Sequence, residues 1–301
     1  MDTQHVVALG FFDGVHIGHG ALLRRARCLA DTLGLTACAM SLDAAPSSVI
    51  GGSPAPLLST MDERALLMRR CYGMDEVVFE HFDRAMMCLP WQDFLTEYLI
   101  SQLHARHVVC GHDYRFGHRG EGTPQLLADF CRARGIGCDI IPQVTLDGIR
   151  VSSTAIRAQL ASGDVETARR FLGHPHLLRG EVVHGRALGR TIGVPTANLP
   201  FPSGVLVPPY GVYCGKAELT DGSVHPAVVN IGVHPTAGAL DAPVAEAWID
   251  GVDAELYGRT LNLWLYCMLR PERKFDSMES LRAQILTDRE QTIAYFSAKA
   301  E

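Results

Sequence analysis

Residues 10–19 read Gly-Phe-Phe-Asp-Gly-Val-His-Ile-Gly-His, so His16 and His19 follow directly on an apolar run, VVALG at 6–10. A strand, a glycine turn and a helix in that order present unpaired N–H groups and a positive dipole end to an anion, and Gly10, Gly14 and Gly18 let a phosphate approach the backbone. Two imidazoles at such a place can donate to a phosphoryl oxygen as charge develops in nucleotidyl transfer. The alternative is that the histidines merely cap and solvate a turn. Ser152-Ser153-Thr154 opens a second predicted helix, with Arg157 one turn later. Their hydroxyls and amides could hold β- and γ-phosphates that Arg157 neutralises, although such a triplet alone reads as an N-cap. A third stretch, 185–198, carries Gly185, Gly189 and Gly193 but no Gly-Lys-Ser/Thr, so it is not a Walker A loop. Thr196 and Asn198 fall on one side of an extended segment there, where their oxygens could complete a Mg²⁺ shell with ATP.

The elements that must position these residues follow from hydrophobic periodicity. Short β-branched runs at 6–10, 35–42, 75–82, 105–111 and 137–144 alternate with helical patterns near 19–33, 60–72, 90–104 and 123–134. That alternation predicts a parallel sheet covered by helices on both faces, with ligands beyond the carboxyl ends of its strands. The stretch 158–176 reads as helical until Gly173. Thereafter short strands at 179–185, 211–219, 225–232, 244–250 and 260–269 are broken by Gly and Pro, which predicts a small antiparallel barrel, and an amphipathic helix runs from Ser277 to Phe296. The boundary is expected between 170 and 180, giving domains 1–172 and 176–301.

Composition narrows the function class. The chain has 301 residues, 47% of them apolar, enough for two cores, and a formal net charge of -6 that argues against sequence-independent nucleic-acid binding. Nine cysteines at 28, 38, 71, 88, 110, 131, 138, 214 and 267 form no C-x-x-C pair. They read as reduced residues of a cytoplasmic protein with neither zinc nor a disulfide framework. No leader-like or membrane-length apolar stretch is present, so no membrane partner is expected. An oligomer is left open.

GFFDGVHIGH (10–19), GHDYRFGHRGEG (111–122), SSTAIR (152–157), GRTIGVPTANL (189–199), PYGVY (209–213), NIGVHPT (230–236) and LYGRTL (256–261) together resemble the bacterial bifunctional riboflavin kinase/FAD synthetase family over nearly the whole chain. The resemblance implies an α/β protein: a Rossmann-like nucleotidyltransferase domain followed by a small antiparallel β-barrel of riboflavin-kinase type with a terminal helix. It implies phosphorylation of riboflavin to FMN and adenylylation of FMN to FAD, with ATP as co-substrate and Mg²⁺ as cofactor. By the same resemblance Gly10, Phe12, Asp13, Gly14, Gly18, Ser152, Ser153 and Thr154 would make the ATP site in the first half, Asp13 and Gly14 by shaping its turn, with His16, His19 and Arg157 catalytic. Gly185, Gly189, Gly193, Pro195, Thr196 and Asn198 would bind Mg-ATP in the second half, where Glu246 would be the catalytic base. Flavin would meet Asp113, Tyr114 and Phe116 in one half, and Tyr213, Arg270 and Phe275 in the other.

Five positions depart from the family pattern: Phe11, Ala45, Ala155, His234 and Trp248. Three lie in the adenylylating half, and one lost charge-assisted hydrogen bond costs about 1.5–3 kcal/mol. Two rival readings therefore stand beside the bifunctional enzyme: a riboflavin kinase whose N-terminal domain only binds nucleotide or regulates, and a non-catalytic flavin sensor. Retention of His16, His19, Thr196, Asn198 and Glu246 opposes the second.

Overall fold

The computed structural model describes residues 3–46, 55–185, 195–233, 242–252 and 254–298. Its contacts separate two compact units, Met1–Ser153 and Thr154–Glu301.

In the first unit the apolar runs form β1 (His5–Leu9), β2 (Thr36–Leu42), β3 (Glu76–Glu80), β4 (Ala105–Gly111) and β5 (Gly137–Ile141). They build one parallel sheet in the order β3-β2-β1-β4-β5. The order reverses at β1, so a crevice opens beyond the carboxyl ends of β1 and β4. The turn carrying His16 leaves one of these ends and the segment carrying Asp113 leaves the other.

Helices α1 (Ile17–Leu33), α2 (Met61–Tyr72), α3 (Arg84–Met87), α4 (Trp91–Phe94) and α5 (Pro124–Arg132) accompany the sheet. Their ends follow local chemistry. Thr60 and Glu63 close a reciprocal capping box on α2, Thr123 caps α5, and Gly34 ends α1 in the left-handed conformation at φ 66°. The helix expected at 90–104 differs in kind, because α4 runs on as a π-helix over Leu95–Gln102. There the Ser101 hydroxyl donates to the carbonyl of Thr96, five residues back, an alternative to the regular ladder. A small hairpin, β6 (Thr145–Leu146) with β7 (Ile149–Arg150), ends the unit.

The stretch expected as one helix to Gly173 is two: α6 (Ser153–Ala161), where the units divide, and α7 (Val165–Leu172). Gly163 takes φ 84° between them, and Asp164 caps α7 by accepting from the Thr167 amide. In the second unit α7 packs on β8 and β13, which places the contact boundary earlier than the 170–180 expected from texture. Six antiparallel strands follow: β8 (His176–Glu181), β9 (Thr196–Pro200), β10 (Gly211–Glu218), β11 (Val224–Val233), β12 (Pro243–Ile249) and β13 (Thr260–Pro271). Their order is β8-β13-β10-β11-β12-β9, and a Val183–Asn198 bridge joins the two edges of the curled sheet. The terminal α8 (Met278–Ser297) lies on β10 and β11. It is tied down by Arg270 to the buried Asp288 (2.7 Å) and by Arg289 to Asp250 (2.8 Å).

Candidate active sites

The turn between β1 and α1 is held in a conformation that side chains rarely adopt. Phe12 takes φ 56°, Gly14 78° and Val15 42°. For a β-branched residue such as Val15 this is a genuine outlier, of the sort that persists at functional sites where the surroundings over-determine it. The surroundings are visible: Asp13 Oδ1 accepts from the amides of Leu58 (2.8 Å) and Ser59 (3.2 Å), Gly14 N–H donates to Ser59 Oγ (2.9 Å), and Ser153 Oγ donates to the Asp13 carbonyl (2.9 Å). Phe12 and Asp13 are buried, so their side chains build the turn from within.

His16 is the N-cap of α1, which starts at Ile17, two residues earlier than expected, and its Nδ1 accepts the His19 amide at 3.2 Å. Neutral His16 must then carry its proton on Nε2, making that nitrogen a donor. The two imidazoles stack at 3.5 Å with 13° between their planes, and Phe12 meets His19 edge-on at 5.3 Å. His19 Nδ1 is buried with no partner, which leaves Nε2 as the ring nitrogen open to a ligand. Burial, then the neighbouring His16 and the Arg64 cation, hold the His19 pKa well below that of a free imidazole. Gly18 lies so close to the His16 ring that an added Cβ would sit 3.1 Å from it. Ser153 begins α6, and Arg157 follows one helical turn later.

At the end of β4, Asp113 is exposed and accepts from Arg150 at 2.6 Å. Tyr114 and Phe116 stack at 5.6 Å, and Phe116 joins the core beside Phe94. Burial pushes the Tyr114 phenol up. Phe11, one of the departures, lies under the guanidinium of Arg64 at 4.6 Å. Arg64 belongs to none of the sequence motifs. Its signal was an arginine three and four residues before Leu67 and Met68, on the buried face of α2.

In the second unit the register of β9 against β12 pairs Asn198 with Glu246 and Thr196 with Trp248. Across this pair Thr196 Oγ1 donates to Glu246 Oε1 at 2.5 Å. Asn198 is 8% exposed, and a Cβ on Gly185 would fall 2.5 Å from its amide nitrogen, so only glycine lets the start of the loop lie on it. Gly189, Gly193 and His234 lie outside the described residues. A shallow cleft, open to solvent, is lined by Pro195, Thr196, Ala247, Leu256 and Tyr257, and His184 stacks on Tyr257 at 3.8 Å. No cluster of three His, Cys, Asp or Glu suited to a metal occurs among the described residues. Thr196 and Asn198 offer neutral hard oxygens, which fits a Mg²⁺ that brings nucleotide and water ligands with it.

The expected flavin contacts of this half are placed unequally. Tyr213 is fully buried and donates its hydroxyl to the Pro209 carbonyl at 2.5 Å, so it backs the barrel wall. Arg270 is engaged by Asp288, and Phe275 is half-buried between the guanidinium groups of Arg270 and Arg273. Trp248, another departure, stacks against Arg289 at 5.2 Å.

Comparison with known proteins bears on both units. The FAD synthetase family model matches residues 1–155 and the riboflavin kinase model residues 172–296. A bifunctional riboflavin kinase/FMN adenylyltransferase of Bacillus subtilis is 35% identical over 98% of this chain and 93% of its own. The protein of that description from Escherichia coli K12 is 35% identical over 94% and 90%. A crystal structure described as a macrolide-efflux protein from Streptococcus pneumoniae superposes with a TM-score of 0.82 at 31% identity, covering 97% of this chain and 94% of that one. Among the described residues no helix is long and apolar enough to cross a membrane.

Proposed function

The chain belongs to the bifunctional riboflavin kinase/FMN adenylyltransferase family, and on that premise we propose which of its residues carry each reaction. The protein is a transferase with two activities, making FMN from riboflavin and FAD from FMN.

In the kinase reaction Glu246 aligns the terminal hydroxyl of the ribityl chain and accepts its proton as the oxygen attacks the γ-phosphorus of ATP, releasing ADP. The observation that carries this assignment is the Thr196–Glu246 hydrogen bond, which brings the base and a nucleotide-side oxygen to one point across two paired strands. Thr196 and Asn198 would hold Mg²⁺, which when bound neutralises charge on the phosphates. The cleft beside Pro195, Leu256 and Tyr257 is offered as the place of the nucleotide, and Phe275 with Arg270 as the flavin side.

In the adenylyl transfer a phosphate oxygen of FMN attacks the α-phosphorus of a second ATP and pyrophosphate leaves. His16 and His19 donate through Nε2 to phosphoryl oxygens, and the N-terminus of α1 adds its dipole. Ser152, Ser153, Thr154 and Arg157 close on the triphosphate. Tyr114 with Asp113 offers a flavin face at the end of β4. This reading keeps domains at 1–172 and 176–301, so that Arg157 serves the adenylylating half although packing groups it with the other. A cytoplasmic location accords with nine cysteines that are all free.

The test is chromatography of flavins over time with ATP and Mg²⁺, starting once from riboflavin and once from FMN. Glu246→Ala should stop FMN formation only, and His19→Ala FAD formation only. FMN accumulating from the unaltered protein with no FAD from either start would remove catalysis from the N-terminal half.

A further inference from the structure

The carboxyl ends of β1 and β2 meet over a side chain that no step above uses. Arg64, on α2, is 0% exposed. Its Nη1 donates to the Phe11 carbonyl (2.7 Å), to Ser41 Oγ (2.9 Å) and to the Leu42 carbonyl (3.0 Å), while Ser41 Oγ itself donates to the Phe11 carbonyl (2.9 Å). The rings of Phe11 and Phe79 lie near its guanidinium at 4.6 and 5.0 Å. The charges facing it are Asp13 and Asp43, and its own charge is felt at His19. Nε and Nη2 are buried without partners. An apolar side chain of similar volume would fill the space without two orphaned donors, so stability is a poor reason for a guanidinium here.

Its position supplies a better one. The Phe11 carbonyl belongs to the peptide plane that enters Phe12, and rotation of that plane about the N–Cα bond is the φ angle of Phe12, held at 56°. The Phe12 ring in turn abuts the ring of His19. We propose that Arg64 is a positioning residue for FMN adenylylation: by fixing the Phe11 carbonyl it sets the Phe12 backbone and, through the Phe12 ring, holds His19 against His16. This inference rests on the reading that those histidines meet the triphosphate.

The test uses the full chain, with riboflavin kinase turnover in each sample reporting the amount of active protein. Arg64→Met should lower kcat for FAD formation by about tenfold or more while leaving KM for ATP and FMN nearly unchanged, because ground-state contacts stay in place. Arg64→Lys should rescue only part of the loss, since an ammonium can neither stack between rings nor present a planar fork. A purely structural arginine would instead lower melting temperature and leave kcat per active molecule alone. FAD formation by Arg64→Met within about twofold of the parent overturns the proposal. Should both Arg64 variants fail to fold, Ser41→Ala removes one anchor of the same carbonyl: a kcat loss of about threefold or more supports the proposal, and an unchanged kcat overturns it. His19→Ala separates the two levels. If it is inert while Arg64→Met is fully active, only the inference fails; if it is active, the reading beneath it fails.

Discussion

Replacing Asp13 with alanine should disable FAD formation while sparing FMN formation, and the size of the effect can be worked from the turn. The carboxylate accepts two backbone amides in a buried place, each such charge-assisted bond contributing about 1.5–3 kcal/mol. Against it stands the strain of Phe12 and Val15, two non-glycine residues at positive φ, each costing about 1–3 kcal/mol. The two quantities are of the same size, so loss of the carboxylate frees the turn to relax. A displacement of about 1 Å at His16 and His19 would cost about a hundredfold in rate. Asp13→Asn keeps an acceptor oxygen but only neutral bonds of about 1 kcal/mol each, and should fall between. The assay is FAD formation from FMN, normalised to FMN formation from riboflavin in the same sample, beside a thermal melt. An Asp13→Ala protein that makes FAD at the parental rate would show that the strained turn is not what holds the histidines, and would refute the reasoning.

Thr196→Val keeps the shape and removes the donor to Glu246, so riboflavin phosphorylation should slow by about ten- to a hundredfold, with Thr196→Ser restoring most of it and FAD formation from FMN unaffected. Gly185→Ala drives a methyl into the Asn198 amide and should raise KM for ATP in the kinase reaction alone, measured by steady-state kinetics. The pKa of His176 is pushed down to about 4 by burial and then by His174. Between that value and the ordinary one near 6.5 the unfolded chain binds the extra proton and the native state does not, so stability is intact above the window and falls as pH drops through it. The expected loss is about 3 kcal/mol across the window, and melts of His176→Leu should show a flatter acid slope there than the parent.

Strand and helix alternation made the parallel sheet legible because each buried strand has a short apolar, often β-branched centre, as in 6–9 of His5–Leu9 and 108–110 of Ala105–Gly111. The histidine turn was legible from its place after β1. What the pattern hid were features encoded by single residues against the period. The break at Gly163 lies within an otherwise amphipathic stretch, and only a left-handed φ beside the cap of Asp164 splits it. The π-helix over Leu95–Gln102 keeps an apolar face that serves either ladder. Asp13 was expected to shape the turn, whereas the packing of the Phe12 ring inside it is visible only in the structure. Tyr213 likewise sits in a motif of the barrel with its hydroxyl turned to Pro209. Arg64 was obscured because a charged residue in a helix is ordinarily read as solvent-facing, and only the tertiary structure shows it beneath β1 and β2.

The pairing of β9 with β12 carries a consequence for how this chain can change. Thr196 and Asn198 share one face of β9, and Glu246 and Trp248 stand opposite them in reverse order. A strand has a side-chain period of two, so deleting or inserting one residue inside either strand would turn that strand's kinase oxygens on one side of the change to the other face of the sheet, away from their partners on the neighbouring strand. The linking segments can lengthen or shorten without that penalty. The kinase chemistry is thus stored as a reading frame, and a single-residue indel in β9 should silence FMN formation more completely than most substitutions, while the linking segment between β9 and β10 remains free to drift in length.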